Sequence, residues 1–203
     1  MSLRLAVWVA LGIALHAQEP EPMTRFGTTV VMPDGLRGQI YFLKFESNEL
    51  PNLKKMKPVG TIYTTSLNIP PQNFDQGFPG VTKRFEWFAI EYSGKFWVQF
   101  PGIYRFSLLS DDGSKLWIDG KLVIDNDGIH APREVFGERD LAAGIHRIEV
   151  GYFQGPRMSL ALVLKVALPG DNWRIFNVDQ FKPPPDAEIP PETPLENPKK
   201  KRK

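Results

Sequence analysis

Ser110-Asp111-Asp112-Gly113-Ser114-Lys115-Leu116-Trp117-Ile118-Asp119-Gly120-Lys121-Leu122-Val123-Ile124-Asp125-Asn126-Asp127-Gly128 reads as an acidic loop, a strand, a two-residue turn, a second strand and a second acidic loop. Asp119-Gly120 between two apolar runs is a hairpin signal, because a type I′ turn needs positive φ at both central residues. Carboxylates stand before, within and after the hairpin. That oxygen density suits a hard cation or a hydroxyl-rich ligand, so function is expected here.

The chain around the hairpin is strand-like. Tyr104, Phe106 and Leu108 share one face while Arg105 and Ser107 share the other, a period of two. Ile148, Val150 and Tyr152 alternate in the same way, as do Met158, Leu160, Leu162, Leu164 and Val166. Gln39–Phe45 alternates, Phe85–Tyr92 reads as a strand buried on both faces, and Lys95–Phe100 is expected to follow a break at Ser93-Gly94. Gly and Pro punctuate these runs, and no segment has a helical period of useful length. The expected fold is all-β, an antiparallel, jelly-roll-like β-sandwich in a single domain.

At 203 residues the chain has length enough for one substantial core. Arg4, the apolar run Leu5–Leu15 and the small Ala17 fit a signal peptide over 1–17, with a buried N-terminal strand or interfacial anchor as the competing reading. A solvated lead is expected over 18–35 and the sandwich over 36–181. From Lys182 the composition turns to Pro, so 182–203 is expected to be a disordered, extended tail. Its end, Lys199, Lys200, Lys201, Arg202 and Lys203, accounts for the basic excess in a chain of 25 basic and 23 acidic residues. The charge balance does not call for nucleic acid, and none is expected as a partner. In an exported protein that cluster reads either as electrostatic attachment to an anionic surface or as a solvated terminus. There are no cysteines, so disulfides and thiol chemistry are absent.

Catalytic signatures are missing. After the expected cleavage only His130 and His146 remain, and no Gly-x-Ser-x-Gly, His-Glu-x-x-His or phosphate loop occurs. The expectation is no enzyme, although a carboxylate pair assembled from distant loops would evade a sequence reading. Asp111 and Asp112 are the candidate metal ligands. Neighbouring side chains on an extended strand point opposite ways, so both reach one ion only through unusual backbone such as a cis peptide. Calcium, with six to eight oxygen ligands and relaxed geometry, is the ion such a site would take; an ordinary Asp-Asp-Gly-Ser turn is the alternative. Asp125-Asn126-Asp127-Gly128 lacks EF-hand spacing, but Asp127 is a candidate oxygen donor. Trp87, Trp97, Phe88 and Phe96 read as core sooner than as a sugar platform. Trp117, on the strand face opposite Leu116 and Ile118, is a candidate ligand contact.

Phe88–Gly94, Pro101–Phe106, Ser110–Asp119, Asp125–His130 and Ala143–Phe153 together, in this order, resemble the PA-fourteen domain family, named for a fragment of anthrax toxin protective antigen. The resemblance covers about Leu36 to Val166. It implies a secreted or surface β-sandwich. In lectin members a cis Asp-Asp pair binds calcium, and calcium meets sugar hydroxyls; Asp111 and Asp112 match that pair. Those lectins add an Asn from a later loop, which falls in Gln154–Arg157; this chain has no Asn there, and Gln154 is the candidate ligand contact in its place. The expected function is an exported, non-catalytic module, secreted, periplasmic or on the cell surface, that binds glycan or another envelope polymer, with calcium as cofactor. The alternative is a structural or protein-interaction module of the envelope without a small ligand.

Overall fold

The period of two decides the architecture. Phe88, Ile90, Tyr92, Phe96 and Val98 alternate with residues on the opposite face, and a strand with one apolar face must bury it against a second layer. The computed structural model describes residues 35–81, 84–156 and 158–184, together with the backbone of two short paired strands, β1 (Arg25–Phe26) and β2 (Thr29–Val30). The proposed signal peptide and the basic tail end lie outside the described residues. Eleven further strands follow: β3 (Leu36–Phe42), β4 (Gly60–Thr64), β5 (Asn68–Asn73), β6 (Phe88–Val98), β7 (Gly102–Asp111), β8 (Ser114–Ile118), β9 (Lys121–Asn126), β10 (Arg133–Leu141), β11 (Gly144–Gln154), β12 (Ser159–Ala167) and β13 (Arg174–Ile175). Helical structure among the described residues is limited to three single 3-10 turns, and none is long and apolar enough to cross a membrane.

The strands form an antiparallel β-sandwich. One sheet runs β4-β3-β6-β11-β8-β9; the other runs β10-β7-β12-β13, with β5 also on β12. Between them Phe88, Ile90 and Tyr92 of β6, Tyr104, Phe106 and Leu108 of β7, and Leu160, Leu162 and Leu164 of β12 belong to one buried cluster. Burying each such side chain contributes about 1.5–3 kcal/mol. A second, smaller cluster lies where Tyr41, Ala89 and Phe153 sit in register across β3, β6 and β11, packed with Leu43, Leu53 and Trp87. The segment after β3, including the 3-10 turn Leu53–Lys55 capped by the Asn52 side chain, covers this patch.

The hairpin forms where expected. Asp119 (φ 51°) and Gly120 (φ 72°) are both left-handed, as a type I′ turn demands. Other details differ. The break expected at Ser93-Gly94 is absent, and β6 runs unbroken through it; a side chain at Gly94 would collide with Leu36, so this glycine serves close packing of β3 and not a turn. The strand expected from Phe85 starts at Phe88, because Trp87 has φ 57° and Phe85 is exposed. Met158 lies outside β12 and is 80% exposed, so the alternation it continues in sequence is not a buried one. Phe88 and Phe96 are core and Trp87 belongs to the second cluster, as the core reading expects.

Candidate functional site

β7 ends at Asp111 and β8 starts at Ser114, and the Asp111-Asp112 peptide in the turn between them is cis. Both side chains are buried, at 4% and 3% exposure. Gly113 follows as a glycine because a Cβ there would stand 2.3 Å from the Phe153 ring and 2.7 Å from the Asp127 carboxylate.

Two other connections converge on the turn that carries the pair. Asp111 Oδ2 accepts from Ser159 Oγ at 2.5 Å, at the start of β12. Asp112 Oδ2 accepts from the Gly155 amide at 2.7 Å and from Gln154 Nε2 at 3.4 Å, in the β11–β12 connection. Asp112 Oδ1 accepts from the His130 amide at 3.2 Å, in the loop after β9. Underneath, the Tyr152 hydroxyl donates to the Asp111 main-chain oxygen at 2.7 Å and lies 2.6 Å from Gln154 Oε1. Gln154 Nε2 also reaches the Ser159 main-chain oxygen at 3.1 Å.

Burial raises the pKa of both carboxyls, and that of Asp112 reaches about 6. The Gly155 and His130 hydrogen bonds oppose the rise at Asp112 and the neighbouring charge of Asp111 adds to it. No described Lys or Arg pairs with either carboxylate. Two adjacent buried carboxylates in that condition are costly as a doubly charged pair, and a divalent cation would relieve the cost. Among the described residues no group of three or more His, Cys, Asp or Glu surrounds a metal position. The pair would therefore supply two hard oxygen-bearing groups and leave other positions to neutral oxygens, which fits calcium and not zinc.

The remaining candidates divide. Gln154, fully buried, is part of the turn's support. Asp127 faces the hairpin: its Oδ2 pairs with Lys115 Nζ at 3.0 Å, and its Oδ1 accepts from the Leu50 and Gly128 amides at 2.9 Å each. Asp125 reaches the same ammonium at 3.3 Å, and together these two carboxylates outweigh the effect of burial and hold the Lys115 pKa up. Trp117 stands on the outer face of the six-stranded sheet and lines a cleft of about 410 Å³ whose walls do not include Asp111 or Asp112. The two histidines are held by hydrogen bonds: His130 ring nitrogens meet the Ala131 and Asn126 main-chain oxygens, and His146 meets Asp119 and the Ala142 main-chain oxygen.

Sequence reasoning did not find Ser159, Gly155 or Tyr152 as contacts of the pair. Nothing local in the sequence marks them; only the fold shows that Gly155 must stay small, because a Cβ there would stand 3.0 Å from Asp112 Oδ2.

Two antiparallel sheets around one core, with a buried Asp-Asp turn where three connections meet, define a β-sandwich with an acidic turn at one end. The PA14 domain model matches residues 33–172, and the chain belongs to that family. Comparison with curated proteins finds no match. Among solved structures, an anti-sigma factor domain-containing protein aligns at TM-score 0.58 and 21% identity over 76% of this chain, which spans only 50% of that one. The PA14 sugar-binding domain of an RTX adhesin aligns at TM-score 0.58 and 18% identity, covering 72% of this chain and 96% of its own. The epithelial adhesin 9 A domain of Candida glabrata, solved with Galb1-3GlcNAc, aligns at TM-score 0.52 and 14% identity over 72% and 87%. At these identities the likeness is one of fold.

Proposed function

We propose that this protein is an exported, non-catalytic module that binds carbohydrate, with Asp111 and Asp112 holding calcium. The observation that carries the reading is the buried carboxylate pair at the junction of three connections, with no described cationic side chain paired to it. The sugar-binding name of the RTX adhesin domain and the glycan bound by the Candida glabrata adhesin support the ligand class. Bound calcium would supply open coordination positions for vicinal hydroxyls.

The protein's own groups position the pair. Ser159 orients Asp111, the Gly155 and His130 amides orient Asp112, and Gln154 braces the connection. The later loop that supplies an Asn in lectin members of the family carries Gln154 and no Asn here, and the Gln154 side chain and the Gly155 amide both donate to Asp112. Glycan or a cell-envelope polymer is the partner, and Lys199, Lys200, Lys201, Arg202 and Lys203 would add attachment to an anionic surface.

The test is calorimetric titration of calcium into the chelator-treated full chain and into Asp112→Ala. Binding of micromolar to millimolar strength that the variant loses supports the reading. No heat with either protein, and no shift in melting temperature, leaves Asp111-Asp112 as a hydrogen-bonded turn. The structural or protein-interaction module is then the better account.

A further inference from the structure

The outer face of the six-stranded sheet carries a second concavity with its own chemistry. Two cross-strand rows build its floor. Glu91, Gly151 and Lys115 are direct neighbours across β6, β11 and β8, and Glu149 and Trp117 are direct neighbours in the next row. Gly151 contributes no side chain and the Leu50 side chain packs into that space, since a Cβ there would stand 2.4 Å from Leu50 Cδ2 and 3.4 Å from the Trp117 ring. Leu50 and the half-buried Trp117 indole therefore bound the cleft together. The segment Leu50–Lys54 forms the rim. The resulting cleft of about 410 Å³ falls within the range of about 300–1,000 Å³ usual for small-molecule sites.

The rim is preformed. The Leu50 amide is tied to Asp127 at 2.9 Å, Leu53 is buried in the second apolar cluster, and the Asn52 side chain caps the 3-10 turn. The floor is equally fixed, since Lys115 is held by Asp125 and Asp127. A site so held loses little entropy when it binds.

Its chemistry selects a ligand class. Glu91 and Glu149 are acceptors and Lys54 is a donor, while the Lys115 charge is already met by Asp125 and Asp127. An anionic ligand would meet the two carboxylates, and a cationic one the Lys54 ammonium. A neutral ligand with many hydroxyls satisfies both sets, and the apolar C–H face of a sugar ring matches an indole surface. We propose that this cleft is a second saccharide site, independent of calcium, in which Trp117 stacks a neutral sugar ring and Glu91 and Glu149 accept its hydroxyls. It shares with the proposed function only the ligand class; neither aspartate of the acidic turn lines it.

The experiment titrates the full chain, in excess EDTA, with neutral oligosaccharides (cellohexaose, xylohexaose, mannohexaose, maltohexaose and laminarihexaose) and with chitosan and polygalacturonate oligomers as charged counterparts. Binding of at least one neutral probe is expected, weakened tenfold or more by Trp117→Ala and severalfold by Glu149→Gln, with Trp173→Ala as the unchanged aromatic control. Glu149→Gln is isosteric and on the outer face, so it decides the matter if Trp117→Ala fails to fold. The proposal is overturned if no neutral probe binds in EDTA, if only charged probes bind, or if neither variant weakens binding. Sugar binding that returns only with calcium and ignores both variants also overturns it, while upholding the acidic turn as the sugar site.

Discussion

Tyr152 of β11 donates its phenolic hydroxyl to the main-chain oxygen of Asp111 at 2.7 Å, across the end of the sandwich. The hydroxyl is fully buried and its pKa is pushed well above the ordinary tyrosine value, by burial first and by the two neighbouring aspartates next. It therefore stays a neutral donor throughout the workable pH range. Tyr152→Phe keeps the ring in the core and leaves the Asp111 oxygen and Gln154 Oε1 without that contact. Unmet buried acceptors cost about 1–3 kcal/mol, so the melting temperature is expected to fall by several degrees, and calcium affinity with it. A variant as stable as the parent would show that the hydroxyl does not brace the turn.

Protons and calcium should compete at Asp112. Its carboxyl is pushed up to about 6, and a metal ligand must be deprotonated. Calcium affinity is expected to drop roughly fourfold between pH 7.5 and 5.5 from this one group. The metal-free protein should show the matching linkage. A carboxyl with a folded value above its unfolded value of about 3.9 keeps its proton longer in the native state, so stability is highest below about pH 4 and declines toward about pH 6. The decline amounts to at most roughly 2 kcal/mol once solvent screening at the turn is allowed for, and Asp112→Asn should remove it. Melting curves in EDTA across this range, parent against variant, check the sign; parallel curves would refute it.

How much of this was legible depends on the range of the interaction. Asp119-Gly120 was readable because a type I′ turn is a local demand on two residues, and both have positive φ. The core faces of β7, β11 and β12 were readable from the period of two. Polar β10 and the proline-bearing β5 were not read, and both are edge strands, where alternation is weak and Pro70 and Pro71 are tolerated. The Asp111-Asp112 pair stood out by composition. Its partners did not, because Ser159 is 48 residues from Asp111 and Gly155 is 43 from Asp112, and nothing local marks a serine or glycine as one end of such a contact. Trp117 was singled out correctly as lying on the face opposite Leu116 and Ile118, but which cavity that face lines depends on where the Leu50–Lys54 segment lands.

Asp127 and Lys115 form a partly buried ion pair at 3.0 Å that joins the loop after β9 to β8. Asp127→Asn leaves a carbonyl for the Leu50 and Gly128 amides but removes the charge, while Asp125 remains at 3.3 Å from the ammonium. The expected loss is about 0.5–1 kcal/mol, smaller at high salt. A double-mutant cycle with Lys115→Met should give a coupling energy of the same size. Strict additivity of the two single changes would mean the pair contributes nothing to the fold.

Gly120 offers the sharpest test of the hairpin. No atom lies within 4 Å of where its Cβ would be, so a larger side chain meets no steric obstacle from the rest of the protein. Its φ of 72° is the only constraint. Asn tolerates that region and a β-branched residue does not. Gly120→Val should therefore destabilise by about 1 kcal/mol or more, and Gly120→Asn by markedly less. The turn is otherwise pinned to β11: Asp119 Oδ1 accepts from the Arg147 amide at 2.9 Å, and its Oδ2 lies 2.7 Å from His146 Nδ1. Register is thus held from outside the turn, and the cost of Gly120→Val should appear as lost stability with the sheet still paired as before. Denaturant melts of the two variants measure the difference, and equal stabilities would show that backbone conformation at Gly120 is not what the hairpin requires.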